Sequence, residues 1–347
     1  MVMPSNRLSL AAVSTAALVL TLAACAPVSP DPAQSPVGDG ELVLYSGRNE
    51  QLVAPIIEQF TQESGIEVTV RYGSSSEMNA LLLEEGENSP AQVFLSQDAG
   101  ALGSLGSAGL LATLPEDLTS LIPAGFTSED GSWIGVTGRA RVLAYDSTVL
   151  SEDQVPNSVE ELTAPEWSGE VAFAPGNASM QSFVTALRVL EGEESAEAWV
   201  KGMSENNPQL TEDNNTSLNL VDSGEATIGL INHYYWYEKA AEVGEDAMRA
   251  QLKFLPGDAG GIVNVSGAAI LSGAAGDPDA LAFVRYLVSE SGQRYFVENT
   301  FEYPLLPGIE DPAGLPSLDS LANPELDLSD LESLEATQAL LAKYGLL

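Results

Sequence analysis

From Glu41 onward, short runs of β-branched and aromatic residues alternate with amphipathic stretches of helical period. Residues 41–45 read as a strand, and residues 50–63 as a helix with Leu52, Val53, Ile56, Ile57 and Phe60 on one face. Residues 66–72 are strand-like again. A helix opened by a run of serines follows at 74–85, a buried strand at 92–96 and a small-residue helix at 99–111. Repetition of β and α at this spacing predicts a parallel sheet with helices on both faces. A second set begins near Arg141, with a strand at 142–145, the start of a helix at 159–162, a strand at 171–174 and a helix at 179–191. Helices at 195–205 and 218–223 and a strand at 226–231 continue it. Late in the chain, 263–271 is strand-like, 278–291 is an amphipathic helix, and 331–346 is a terminal helix carrying Leu334, Leu341 and Tyr344. About 300 residues of α/β pattern exceed one comfortable core, so two lobes are expected.

The balance of charge removes whole classes of function. Lys plus Arg total 13 against 50 Asp plus Glu, a formal charge of −37. Such a surface repels a phosphate backbone, which excludes nucleic-acid binding, and reads as a solvated acidic exterior. One Cys and one His exclude disulfide frameworks, Cys-rich zinc sites, multi-histidine cages and a Cys/His dyad. The plentiful acids lie in no nucleophile elbow or metalloprotease helix, and no Gly-rich phosphate loop occurs. Chemistry falls to Tyr, Asp, Glu, Asn, Ser or Arg. A hydrolase or lyase using paired carboxylates is the rival class, and no enzyme activity is expected.

Residues 8–24 form an apolar stretch behind Arg7, broken only by Ser and Thr, that closes on Leu22-Ala23-Ala24-Cys25. Residues 1–24 read as a signal peptide, because the stretch is short for a span of about 20 apolar residues. The small residues before Cys25 resemble the lipobox of bacterial lipoproteins. That resemblance implies lipidation of Cys25 and anchoring on the outer face of the cytoplasmic membrane. An ordinary secretory signal is the alternative. Residues 25–40, rich in Pro, Ser and Gly, read as a flexible tether.

The most unusual cluster is 231–237, Ile-Asn-His-Tyr-Tyr-Trp-Tyr. Core or interface packing explains many such clusters. Adjacent phenols at a strand end or first helical turn also suit a hard trivalent cation, since phenolate oxygen is a hard anionic donor. Such a cation displaces the phenolic proton far below the free pKa of about 10. The loop at 175–179, Pro-Gly-Asn-Ala-Ser, precedes a helix whose free N–H groups and dipole suit phosphate or carbonate. Simple capping by Asn177 or Ser179 explains the loop equally well. Arg139 and Arg141 suit either an anion in a cleft or an ion pair on their strand.

Tyr-Ser-Gly-Arg-Asn at 45–49, Gln-Val-Phe-Leu-Ser-Gln at 92–97, Gly-Arg-Ala-Arg-Val-Leu-Ala-Tyr at 138–145, the 231–237 cluster and Glu-Tyr-Pro-Leu at 302–305 resemble, in order, the ferric-iron-binding proteins of ABC importers. The resemblance runs from about residue 41 to 307. It implies an α/β clamshell of the type II periplasmic-binding-protein fold, in which each lobe is a central mixed sheet flanked by helices and two strands cross the hinge. Residues 41–138 with 262–347 would form the first lobe, and 139–261 the second. Fe(III) is the implied solute, with Tyr234 and Tyr235 as ligands. The first-lobe positions that hold His and Glu in other members are Asn49 and Gln97 here. These amides, a substitute acid such as Glu50 or Asp98, or water would complete that side. The further tyrosine some relatives recruit is replaced by Asn177-Ala178-Ser179. A synergistic anion, phosphate or carbonate, is implied at Asn177, Ser179, Asn214, Asn232 and Arg139. His233 is expected to point away from the tyrosine pair, and Tyr303 to pack beneath the hinge.

The resemblance as a whole implies a lipid-anchored, extracytoplasmic, monomeric receptor that closes on Fe(III) and delivers it to an ABC permease and its ATPase. The same clamshell, with Tyr and Trp stacking, would also suit a small organic or anionic solute such as a phosphonate, polyamine or thiamine-like compound. The tail after Pro307 has no counterpart in the resemblance and is expected to cap the first lobe.

Overall fold

The computed structural model describes residues 38–321, 326 and 328–347. The expected signal peptide, Cys25 and most of the tether lie outside the described residues. In chain order the strands are β1 (Glu41–Ser46), β2 (Glu67–Tyr72), β3 (Val93–Ser96), β4 (Ile134–Asp146), β5 (Val171–Phe173), β6 (Gln209–Leu210), β7 (Ile228–Asn232), β8 (Ala250–Phe254), β9 (Val263–Ile270) and β10 (Tyr303–Pro304). The first half of the sheet runs β2-β1-β3-β9-β4, with β10 added to β4. The second half runs β4-β7-β5-β6, with β8 on the other side of β4.

β4 is the element that joins the halves. Residues Ile134 to Ala140 pair with β9, and Arg141 to Tyr145 pair with β7. All thirteen of its residues are buried, although the sequence pattern exposes only 142–145 as strand. The earlier residues include Gly135, Thr137, Gly138 and two arginines, which break the apolar run that marks a buried strand. β1 is parallel to β2 and β3, as the βα repeat predicts, whereas β9 is antiparallel to both β3 and β4. The sheet is therefore mixed, and the molecule is a two-lobed α/β structure.

The helices are α1 (Glu50–Ser64), α2 (Ser75–Glu85), α3 (Ala99–Ser107), α4 (Glu116–Thr119), α5 (Ala178–Glu191), α6 (Glu193–Glu205), α7 (Asn214–Ser223), α8 (His233–Val243), α9 (Pro278–Leu287), α10 (Glu290–Thr300), α11 (Leu318–Leu321) and α12 (Leu334–Lys343). Several expected helices differ in their bounds, among them α7, which begins at Asn214 rather than 218, and α12, which spans Leu334–Lys343 rather than 331–346; three further differences have visible local reasons. α3 stops short of 111 because Gly109 takes a left-handed φ of 71° and Leu110 N–H turns back to Leu105 O. The helix expected at 278–291 splits at Ser289, whose hydroxyl donates to Tyr286 O and accepts from Gly292 N–H, opening α10. At 159–162 only a 3-10 turn forms, Val159–Thr163, because Pro165 cannot continue a helix.

The tail packs against both α3 and α5, where the sequence suggests a cap on the first lobe. Leu331 is fully buried, and its carbonyl oxygen lies 3.0 Å from where a side chain at Gly100 of α3 would begin. Beyond it, Thr337 hydrogen-bonds Thr185 at 2.7 Å, and Arg188 of α5 donates to Ser333 and Thr337.

Candidate metal centre

β7 is buried throughout and ends at Asn232, and α8 begins at His233. The change from strand to helix at this point throws Tyr234 and Tyr235 into the first helical turn at the head of the strand. Their rings lie with centroids 4.2 Å apart and planes inclined by 31°, and both are buried. Burial and the neighbouring Tyr234 push the Tyr235 phenol well above its ordinary pKa, against the opposing pull of Arg48 and Asn214. The phenol is thus neutral until a cation replaces its proton.

From the turn after β3, Gln97 Nε2 reaches Tyr234 Oη at 3.5 Å. Its backbone N–H is held by Ser75 Oγ at 2.8 Å. This junction is tight, since a Cβ on Gly47 would stand 2.1 Å from the same hydroxyl. Asp98 is spoken for differently. Its Oδ1 caps α3 through Ala101 N–H and accepts from Ser182 Oγ of the second lobe, while Oδ2 is buried without a partner. Burial raises the Asp98 carboxyl despite Arg139 nearby. Asn49 and Glu50 are exposed at the start of α1, where Asn49 caps the helix by accepting from Gln51 N–H. No described contact ties either of them to the tyrosines.

At the start of α5, Asn177 Oδ1 accepts from both Ser179 N–H at 3.0 Å and Ser179 Oγ at 2.7 Å. Ser179 Oγ in turn accepts from Arg141 Nη1 at 3.2 Å and Asn214 Nδ2 at 3.3 Å. Ser179, Asn214 and Arg141 therefore converge, and the Tyr235 phenol favours the charged form of Arg141. Burial, and then Arg139, lower the Arg141 guanidinium to about 9, which still leaves it charged at neutral pH. Arg139, singled out from sequence, points elsewhere. Its Nη2 donates to Val265 O at 3.3 Å and its charge is felt by Asp98. Several buried polar atoms around the pair have no partner: Arg141 Nε, Asn214 Oδ1, Asn232 Nδ2 and Arg48 Nη1. Three of these, Arg141 Nε, Asn232 Nδ2 and Arg48 Nη1, are donors of the kind an anion takes, whereas Asn214 Oδ1 is an acceptor.

His233 turns away, as expected. Its Nδ1 accepts from Ala140 N–H at 3.2 Å and its Nε2 donates to Phe301 O at 2.9 Å. Burial holds its pKa down at about 4, so the ring is neutral. Tyr303 is buried and donates to Pro316 O at 2.8 Å beneath the crossing strand. Among the described residues, no group of three or more His, Cys, Asp or Glu side chains could hold a metal ion.

Three residues at the site escape a reading of the sequence alone. Arg48 donates to Glu302 at 2.8 Å in a buried ion pair next to Tyr234. Burial alone would lower the guanidinium's pKa, but Glu302 and the two tyrosines outweigh it and keep the charge. Glu238, four residues beyond Tyr234, is raised to about 8 by burial and by Glu302. Arg48 and Glu302 stand inside the 45–49 and 302–305 motifs, but nothing in the chain says that they meet.

Residues 88–325 match the family model for bacterial extracellular solute-binding proteins. The Fe(3+)-binding periplasmic protein of Serratia marcescens is 33% identical over 91% of this chain and 93% of its own length. The major ferric iron-binding protein of Neisseria meningitidis serogroup B is 31% identical over 88% of this chain and 93% of its own. Iron-bound HitA from Pseudomonas aeruginosa superposes with a TM-score of 0.83 at 33% identity, covering 88% of this chain and 99% of that one. With the family model spanning more than half its length, the chain belongs to the bacterial extracellular solute-binding proteins.

Proposed function

We propose that this protein is an extracytoplasmic receptor that takes Fe(III) between its lobes through Tyr234 and Tyr235 and delivers it to an ABC permease. The observation that carries this is the buried, adjoining phenol pair, 4.2 Å between centroids, with the Gln97 amide on Tyr234 and the Arg48 guanidinium over its ring. Two phenolates supply hard anionic oxygen and offset part of the 3+ charge. A bound phosphate or carbonate offsets more, received by Ser179, Asn214, Asn232 and Arg141, with Asn177 fixing the Ser179 hydroxyl. Gln97 is the first-lobe group nearest the metal, and Asn49 and Glu50 remain remote from it. The relatives named for ferric iron binding support the same solute.

The lobes divide near residues 138 and 262, where β4 and the segment before β9 cross. Contacts such as Ser76 Oγ to Gln181 Oε1 at 3.1 Å and Ser182 Oγ to Asp98 Oδ1 at 3.1 Å join α2 and α3 to α5 across the cleft. They form only when the lobes meet, so a ligand bridging the lobes shifts the balance toward the closed state. Lipidation of Cys25 would tether the receptor to the membrane beside its permease. Labelled lipid on the wild type and its loss in Cys25→Ser is the expected result.

The direct test is colour. Iron-loaded protein should show a phenolate-to-Fe(III) charge-transfer band, and Tyr235→Phe should weaken or abolish it. A colourless protein that retains a small organic anion would replace this reading with a receptor for that solute.

A further inference from the structure

Behind the tyrosine pair lies a charged pair that iron coordination does not itself require. Arg48 Nη2 donates to Glu302 Oε2 at 2.8 Å, and the two side chains are 1% and 0% exposed. Thr300 Oγ1 donates to the same carboxylate oxygen at 3.1 Å, and Ser46 Oγ accepts Arg48 N–H at 3.2 Å. Glu302, from a segment far along the chain, thereby fixes the guanidinium, while Ser46 holds the backbone of Arg48. Its carbon stands 5.9 Å from the centroid of the Tyr234 ring. Arg48 Nη1 and Glu302 Oε1 are buried without hydrogen-bond partners, so the pair is not arranged for its own best satisfaction. Desolvating two charges is costly unless all their hydrogen bonds are met. A cation against an aromatic face gains most where water is excluded.

We infer that Arg48, fixed by Glu302, is a positioning residue for the tyrosine pair, holding the Tyr234 ring in place and setting the electrostatic potential felt by the metal that the phenol takes. The inference rests on the proposed ligand role of Tyr234 and Tyr235. A fixed positive charge beside a dry site disfavours the more highly charged oxidation state of the bound ion. Glu302 cancels part of that field. What remains at these separations and an effective dielectric near 20 corresponds to roughly tenfold in the ratio of ferric to ferrous affinity, or about 59 mV for one electron.

The test uses the full chain, loaded with iron at fixed phosphate, in wild type, Arg48→Met, Arg48→Lys and Glu302→Gln. The readouts are the Fe(III)/Fe(II) potential and the charge-transfer band, with circular dichroism as the check on folding. Arg48→Met should raise the ferric-to-ferrous affinity ratio about tenfold and shift the charge-transfer band, because the cation no longer acts on the ring electrons and the metal. Arg48→Lys keeps the charge and should stay near wild type. Glu302→Gln leaves the guanidinium uncompensated and should move the ratio the other way, which keeps the inference testable if Arg48→Met does not fold. Potentials and bands that are unmoved, or that shift alike in all three variants without following charge, overturn it. A wild type that shows no band at all fails the tyrosine reading instead.

Discussion

Tyr235 carries the proton that the bound metal must displace. Burial and Tyr234 hold its phenol well above the usual range, so Tyr235 keeps its proton in the metal-free protein at every physiological pH. Fe(III) binding at both phenols then releases two protons, and apparent affinity falls by up to about a hundredfold for each unit of acidification. Competition against a chelator of known protonation behaviour at two pH values checks this, and an affinity independent of pH would sink the two-phenolate site. The same scale separates capping from anion binding at Asn177. Its Oδ1 already accepts from Ser179 N–H and Oγ. Asn177→Ala should therefore cost about 1 kcal/mol of stability in the metal-free, anion-free protein, read by thermal or urea unfolding.

Single elements carry the geometry by their ends. β7 delivers its last residue, Asn232, to the cleft, and α8 begins there, which is why two adjacent tyrosines can share one place. β4 passes from one half of the sheet to the other between Ala140 and Arg141. Its two arginines, two residues apart, diverge in their partners: Arg139 goes to Val265 O beside Asp98, and Arg141 to Ser179. The β1–α1 turn depends on Gly47, where any Cβ would stand 2.7 Å from the backbone of Ser75. Gly47→Ala should force the turn away from α2, lowering stability by about 1–3 kcal/mol and loosening both Arg48 and the Ser75 contact that holds Gln97. Thermal unfolding and iron titration of the variant check both effects.

At the scale of the molecule, two properties have consequences of their own. A formal charge of −37 makes the folded protein repel itself. Screening shortens the Debye length to about 3 Å at 1 M salt, so the metal-free protein should melt at a higher temperature as sodium chloride rises from low to high concentration. The tail is the second property, because residues near Leu331 pack on α3 while Thr337 and Ser333 bond to α5. Leu331 is fully buried in that contact. Leu331→Ala should cost about 2–5 kcal/mol, measured by denaturant unfolding, and a surface-like cost would mean the tail is not part of the core.

The residue pattern itself determined the βα alternation, the helix α1 with its apolar face, and the adjacent pair Tyr234 and Tyr235, because local periodicity and neighbouring residues are written directly in the chain. It also placed Asn177 and Ser179 at the start of a helix, whereas Asn214 and Asn232 came only from the family resemblance. The full length of β4 was illegible, since glycines and charged residues are buried there only because two sheet halves cover them. Which arginine faces the phenols, that Asn49 is spent as a cap, and that Arg48 meets Glu302 were decided by the tertiary structure alone. Each depends on distances between segments far apart in sequence, and on the burial that makes an ion pair or an orphaned donor count, neither of which any local pattern encodes.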